Sequence, residues 1–276
     1  MFSLTIGGLK RFLSRDPGFL WRLRWRAVNV ITPRQNVYSR GLKFTLQCDN
    51  WITHYRWKTY NTKEPETLDW IDKWMRDGDT FFDIGANIGV YSVYAALRHR
   101  GAKVVAFEPE YANLHLLRDN VIANGLQNRI EVYSAALSDR PGISYLYIQD
   151  FTPGSALHTE SKEPLSTTLT QHPVVWREGI CIFTLDAFCD ETSLRPNCLK
   201  IDVDGTEPRV LEGGVRTLSS PSLRSLIIEL PEEQLARAAC EQLLLDAGLH
   251  CQWRDSLARS PNEVWARNSI SERGAS

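Results

Sequence analysis

Thr80-Phe-Phe-Asp-Ile84 is a short apolar run that passes through Gly85-Ala-Asn-Ile-Gly89 directly into a helical pattern. A buried strand, a loop carrying two glycines and a helix, in that order, belong to an open α/β sheet, where ligands lie at the carboxyl ends of strands against helix N-termini. The surrounding sequence repeats the alternation. Leu68, Ile71, Trp74 and Met75 recur at helical spacing and stop at Asp77-Gly78-Asp79, a turn that launches the strand. Beyond the loop the pattern predicts a helix over about 88–98, a strand over 103–107, a helix over about 111–124 ending near Gly125, and a strand over 130–134. That is half of a doubly wound sheet.

After Gly142 the alternation breaks, with strand-like runs at 143–148 and 180–185 separated by a polar loop from Asp150 to about Pro173. This insertion is where substrate specificity is expected to reside. Regular alternation resumes with a strand at 198–203, a helix over about 208–218, a strand at 225–230, a helix over about 231–247, and terminal strands near 250–254 and 263–267.

With 276 residues, 43% of them hydrophobic, the chain can bury a large core. Its six cysteines include no C-x-x-C pair, so reduced thiols in the cytoplasm are expected. No apolar run reaches the roughly 18 to 20 residues of a membrane span, and Leu4 to Leu9 is too short for a signal-peptide core. The formal charge of −1 hides an asymmetry, because residues 1–43 carry nine Lys or Arg against the single acid Asp16. We therefore divide the chain into a basic N-terminal extension, 1–43, and a domain, 44–276. Trp21, Trp25 and Val28 fit helical spacing, and Trp21, Leu23 and Trp25 fit strand alternation. The extension is either a solvated segment packing a few aromatics or a peripheral contact to an anionic membrane surface or a glycolipid-carrying partner.

Asp83-x-Gly85-x-x-x-Gly89 departs from the G-x-G-x-x-G of dinucleotide sites, and a carboxylate at Asp83 would repel a pyrophosphate. The same carboxylate suits a zwitterionic amino acid carried on a sulfonium, its ammonium on Asp83 and its carboxylate on N–H groups near Gly85. The cofactor expected on these grounds is S-adenosylmethionine. Glu108 ends the second strand, where an acid can accept both ribose hydroxyls of a nucleoside. The plainer alternatives are a helix-capping Asp83 and a surface Glu108.

At the fourth strand Lys200, Asp202 and Asp204 share one face if the strand persists. Asp202 is the first candidate for orienting an acceptor hydroxyl or taking its proton; alternatively Lys200 neutralises two carboxylates, or the carboxylates hold a divalent cation. His158, in the polar loop, is either a base or an exposed bystander, and Glu229 ends the fifth strand near the same crevice.

Taken together, Phe82-Asp-Ile-Gly-Ala-Asn-Ile-Gly89, Phe107-Glu-Pro109, Asn113, Asn120, Ala136-Leu-Ser-Asp139, Thr184-Leu-Asp186 and Lys200-Ile-Asp-Val-Asp-Gly-Thr-Glu207 resemble the FkbM-type methyltransferase family from about Gly41 to Leu230. Asp204 stands where that family usually has Glu. The resemblance implies a class I methyltransferase (Rossmann-like) sheet of seven strands, the last antiparallel, with an insertion between the third and fourth core strands. It also implies methyl transfer to a hydroxyl of a small molecule or glycan. By the same resemblance Gly85, Ala86, Asn87, Gly89 and Pro109 belong to the cofactor site, Ala136 flanks the adenine, and Glu66 lies near the glycine loop. Two other readings are a non-catalytic nucleoside-binding module and an RNA methyltransferase. The acidic character of 44–276 and the lack of an Asn-Pro-Pro-Tyr-like motif after the fourth strand oppose nucleic acid as a partner.

Overall fold

The computed structural model describes residues 34–156, 158–162, 173–257 and 260–267. Strands β1 (Arg34–Ser39) and β2 (Leu42–Gln47) form an antiparallel hairpin, followed by helices α1 (Trp51–Lys58) and α2 (Pro65–Trp74). Then come β3 (Thr80–Ile84), α3 (Val90–Arg98), β4 (Lys103–Phe107), α4 (Tyr111–Ala123) and β5 (Ile130–Tyr133). The insertion holds β6 (Ala136–Leu137), β7 (Gly142–Ile148), β8 (Thr159–Ser161) and β9 (Trp176–Phe183). The remainder is α5 (Leu185–Thr192), β10 (Cys198–Ile201), α6 (Glu207–Glu212), α7 (Val215–Ser219), β11 (Ser225–Glu229), α8 (Gln234–Asp246), β12 (His250–Arg254) and β13 (Asn262–Ala266).

Seven strands form the central sheet in the order β12-β13-β11-β10-β3-β4-β5, with β13 antiparallel to both of its neighbours. This is the doubly wound arrangement expected from the alternation, with the last strand reversed. Successive side chains of a strand face opposite sides. Phe81 and Val104 accordingly join one core with Leu68, Ile71, Val93 and Leu117, while Phe82, Val105 and Leu226 join a second with Leu185, Phe188 and Val210. Burial on both faces explains why these strands read as continuous apolar runs. The register pairs Asp83 with Lys200 across β3 and β10 and Asp83 with Ala106 across β3 and β4.

Three sequence expectations change. The helix expected over 208–218 is two short helices, because Gly213 and Gly214 bring the backbone against Ser138 and Leu185; a Cβ on Gly213 would overlap the Ser138 carbonyl oxygen. The boundary at 43/44 falls inside β2, and Val37 and Phe44 of the hairpin are buried in the core, so 34–43 pack with the domain. The basic and aromatic stretch before residue 34 lies outside the described residues. The polar loop of the insertion contains β8, which completes a four-stranded sheet of order β6-β9-β7-β8. Buried Glu160 on β8 accepts from Ser138, Ser144 and Arg209, which fixes that strand. All six cysteines are free thiols, and among the described residues no helix is long and apolar enough to cross a membrane.

Candidate functional site

A cleft of about 500 Å³ opens at the carboxyl ends of β3, β4, β10 and β11. Its floor is the glycine loop. Gly85 has φ +78°, and a Cβ there would overlap the backbone oxygen of Asp202, so only glycine lets β3 and β10 close beneath the cleft. Gly89, also left-handed at φ +78°, is the N-cap of α3, where a Cβ would press on Leu117. The N–H groups expected to receive a cofactor carboxylate are already used. Those of Gly85 and Ala86 donate to the Phe107 carbonyl at 3.1 and 2.9 Å, and that of Asn87 donates to Glu108 at 2.8 Å.

Glu108 lines the cleft and is buried. One carboxylate oxygen accepts from the Asn87 backbone and the other from that of Glu110, at 2.8 and 2.9 Å. Each oxygen keeps a second acceptor direction. Burial pushes this carboxyl up to about 8, against the pull of the two backbone donors.

Asp83 is placed differently from expectation. It is fully buried behind the loop, accepts from the Ser92 hydroxyl at 2.6 Å, and lies 3.7 Å from the Lys200 ammonium. It does not line the cleft. Burial raises its pKa above the ordinary carboxylate value, while Lys200 and Ser92 pull the other way. The carboxylate that reaches the cleft is Asp202, 34% exposed and 2.8 Å from the Lys200 ammonium. Although burial opposes ionisation, the attraction and hydrogen bond of Lys200 prevail and hold Asp202 below its ordinary pKa. Lys200 therefore joins two carboxylates, Asp83 and Asp202, rather than Asp202 and Asp204. The reason is that β10 ends at Ile201, so Asp204 falls in a turn with φ +53°, exposed at the cleft rim. Glu207 closes that turn by accepting from Val203 and Gly205, each at 3.0 Å.

Strand order fixes the rest of the geometry. β3 lies between β10 and β4, so Asp202 and Glu108 flank the glycine loop on its two sides. Pro109, Ala136, Glu66 and Glu229 also line the cleft, whereas Ala86, Gly89 and Lys200 pack behind it. Glu66 receives Ser260 and Asn262 at 2.6 and 3.0 Å, which ties α2 to the start of β13. Glu229 accepts no hydrogen bond from the described residues, and burial beside Asp202, Glu207 and Asp204 raises its pKa to about 7.

The insertion is pinned over the loop by side chains of which the sequence does not single out Arg56, and singles out Asn87 and Asn113, though not for this role. Asn87 and Asn113 both donate to the Ser155 carbonyl, at 2.7 and 3.2 Å, Asn113 also accepts from Gly154 at 2.6 Å, and Arg56 donates to the Gly154 carbonyl at 2.7 Å. Asn120 bridges the β2 backbone and the Ile88 carbonyl, each at 2.8 Å. His158 is brought into the cleft wall and buried, not left exposed. The Ser155 hydroxyl donates to the Asp150 carbonyl at 2.8 Å, so His158 Nε2, 3.1 Å away, must carry the hydrogen that Ser155 accepts. Nδ1 is then a buried acceptor without a donor among the described residues, and burial lowers the pKa of the ring. Among the described residues no group of three His, Cys, Asp or Glu side chains converges as a metal site, so the divalent-cation option has no donor set there.

The cleft carries Glu64, Glu66, Glu108, Glu160, Asp202, Asp204 and Glu229 against Arg56 and Lys63. Such a field disfavours a pyrophosphate and favours a ligand with positive charge.

The model of the Methyltransferase FkbM domain matches residues 83–248. The 31-O-demethyl-FK506 methyltransferase FkbM of Streptomyces tacrolimicus is 31% identical over 176 residues, which cover 56% of this chain and 66% of that protein, a little under two thirds of its length. Methyltransferase sdnD of Sordaria araneosa is 27% identical over 205 residues, covering 66% of this chain and 77% of that protein. Among solved structures, Methyltransferase FkbM from Methylobacillus flagellatus KT aligns with a TM-score of 0.47 at 16% identity, covering 70% of this chain and 44% of that one. The glycine loop, the two flanking carboxylates and the strands that carry them all fall within or beside the matched span, and the chain belongs to the FkbM methyltransferase family.

Proposed function

We propose that this chain transfers a methyl group from S-adenosylmethionine to a hydroxyl oxygen, in a sugar of a polysaccharide, a glycolipid or a secondary metabolite. The observation that carries the reading is the pair Glu108 and Asp202 on either side of a loop that only glycine allows to close. The residues fit the cofactor: a cleft of about 500 Å³, a buried Glu108 with an open acceptor direction on each oxygen, and an ionised Asp202. When bound, the cofactor would supply an electrophilic methyl group on a positively charged sulfur.

Glu108 would accept the ribose hydroxyls, and Asp202 the ammonium of the methionine end, the part first assigned to Asp83. Arg56 and Lys63 are the cations of this cleft among the described residues and would receive the cofactor's carboxylate, Lys63 while also donating to Glu64 at 2.7 Å. An aspartate held ionised by a lysine 2.8 Å away is a weak base, so the proton of the acceptor goes to Glu229. Its carboxylate lines the same cleft, has no competing donor among the described residues, and titrates near neutrality. The Streptomyces relative is named for methylation at an oxygen, which supports a hydroxyl acceptor here.

Titrating S-adenosylhomocysteine into the full chain, with Glu108→Gln and Asp202→Asn beside it, tests the reading. Micromolar binding that weakens at least tenfold in both variants supports it, and a folded wild type that binds nothing overturns it.

A further inference from the structure

A second groove, about 180 Å³, lies against the first on the far side of Glu66, which lines both. Its walls are Asp69, Trp70 and Trp74 from α2 and Gln252, Trp253 and Val264 from β12 and β13. β12 is the edge of the sheet, and its pairing with β13 slips between Cys251 and Trp253, leaving Gln252 as an extra residue. In unbroken alternation Gln252 would stand opposite Val264 and Trp253 would face the other side of the sheet. The bulge instead sets Trp253 opposite Val264, so both Gln252 and Trp253 reach the α2 side. A bulge alone would suffice to blunt an edge strand; this one also carries a large indole, 39% exposed, into a groove beside Trp74, whereas Trp70 behind it is only 2% exposed and belongs to the core.

We propose that this groove is a subsite for a second, neutral sugar ring of the acceptor. The inference rests on the reading of the acceptor as a glycan. The exposed Trp253 indole can take the C–H face of a pyranose, and Gln252, with the acceptor directions of Glu66 and Asp69 not used by Ser260, Asn262 and Arg40, supplies hydrogen-bonding groups for its hydroxyls. The groove's charges are mixed, and the Lys73 ammonium already stands 5.2 Å from the centre of the Trp74 ring, so a cationic ligand would meet a like charge at its aromatic wall. Because Glu66 separates groove from cleft, an acceptor with its reacting hydroxyl in the cleft would pass over Glu66 to place its next ring beside Trp253.

The test uses the full chain saturated with S-adenosylhomocysteine and titrated with glucose, xylose and N-acetylglucosamine and with the tetrasaccharides of each, read by tryptophan fluorescence and calorimetry. At least one tetrasaccharide is expected to bind tenfold or more tightly than its monosaccharide. Trp253→Ala should remove that advantage while leaving S-adenosylhomocysteine binding within twofold, and Gln252→Ala, an exposed substitution, should reduce it in part. Equal affinity for tetrasaccharide and monosaccharide, an unchanged advantage in Trp253→Ala, binding of none of the six sugars, or saturable binding of tetramethylammonium in the groove would each overturn the subsite. The S-adenosylhomocysteine titration on the same sample separates these outcomes from failure of the cofactor reading.

Discussion

The Lys200 ammonium donates to Asp202 at 2.8 Å from a side chain that is only 4% exposed, and it reaches back to within 3.7 Å of Asp83. One buried cation thus couples a carboxylate sealed beneath the glycine loop to a carboxylate that faces the cleft. Its ring neighbour Tyr91, 5.5 Å away, donates its hydroxyl to Glu64, another cleft residue. Charge at the site is set by this chain of contacts rather than by any one acid.

Lys200→Met should therefore destabilise the fold as well as the site. It leaves Asp83 buried without its cation, and loss of one partner of a buried pair costs about 3–5 kcal/mol. Urea denaturation should show that loss. Combining it with Asp83→Asn should recover part of it, because the uncompensated charge is gone; a double mutant no more stable than Lys200→Met would refute the coupling.

Gly85→Ala and Gly205→Ala separate closure of the floor from backbone strain. Both glycines have positive φ, +78° and +100°, but a Cβ on Gly85 meets the Asp202 carbonyl while one on Gly205 meets open space. Gly205→Ala should cost about 1–2 kcal/mol, the usual penalty for a side chain in the left-handed region, and leave S-adenosylhomocysteine binding within a few-fold. Gly85→Ala should abolish binding measurable by calorimetry, since β10 must move away from the loop. Equal effects of the two would show that contact with Asp202 is not what demands glycine.

The sheet was readable because its strands are buried on both faces and its helices have one apolar stripe, patterns that are local in sequence. The place of Gly85 and Glu108 at the cleft was readable for the same reason: each follows a strand at the carboxyl edge of the sheet. Asp83 was found but misdirected, since its position at a strand end does not say whether its side chain turns toward the cleft or toward Lys200 behind it. The pinning of the insertion by Asn87, Asn113 and Arg56 was not readable, because these hydrogen bonds join residues 41 to 98 positions apart. Likewise the break in the 208–218 helix depends on Ser138, a residue from another layer, standing where a side chain on Gly213 would go.

If Glu108 holds the ribose as proposed, its titration gives cofactor binding a pH signature. Its folded pKa of about 8 lies above the ordinary 4.5, so its ionisation opposes folding; the favourable contribution of the neutral form is complete below 4.5 and is lost as pH rises through 8. Ribose hydroxyls donate to the ionised form, so adenosine, which has no amino-acid end to titrate, should bind more tightly with rising pH, by up to about tenfold per unit between 6 and 8, then level off. Glu108→Gln should bind weakly at every pH with no slope. Calorimetry across pH 6 to 9 decides, and a flat wild-type profile would remove Glu108 from the ribose site.

Glu229 differs from Glu108 in lacking backbone donors among the described residues, and its pKa of about 7 comes from burial first and then from Asp202, Glu207 and Asp204. The sign of its linkage is the same: it disfavours the folded state as it ionises, so the wild type should lose stability as pH rises from 5 to 8 relative to Glu229→Gln, which carries no charge there. The gap between the two urea midpoints should widen over that range, without need of an acceptor. Once an acceptor is in hand, Glu229→Gln should lower kcat by about 10²–10⁴-fold, as loss of a general base does, with S-adenosylhomocysteine affinity retained and the acidic limb of the kcat profile near pH 7 abolished. Asp202→Asn should show the opposite division, weakening cofactor binding more than it alters that limb. If Glu229→Gln instead kept the wild-type limb while His158→Gln lost it, the proton would pass to Nδ1 of His158 and Glu229 would be reduced to shaping the field of the cleft.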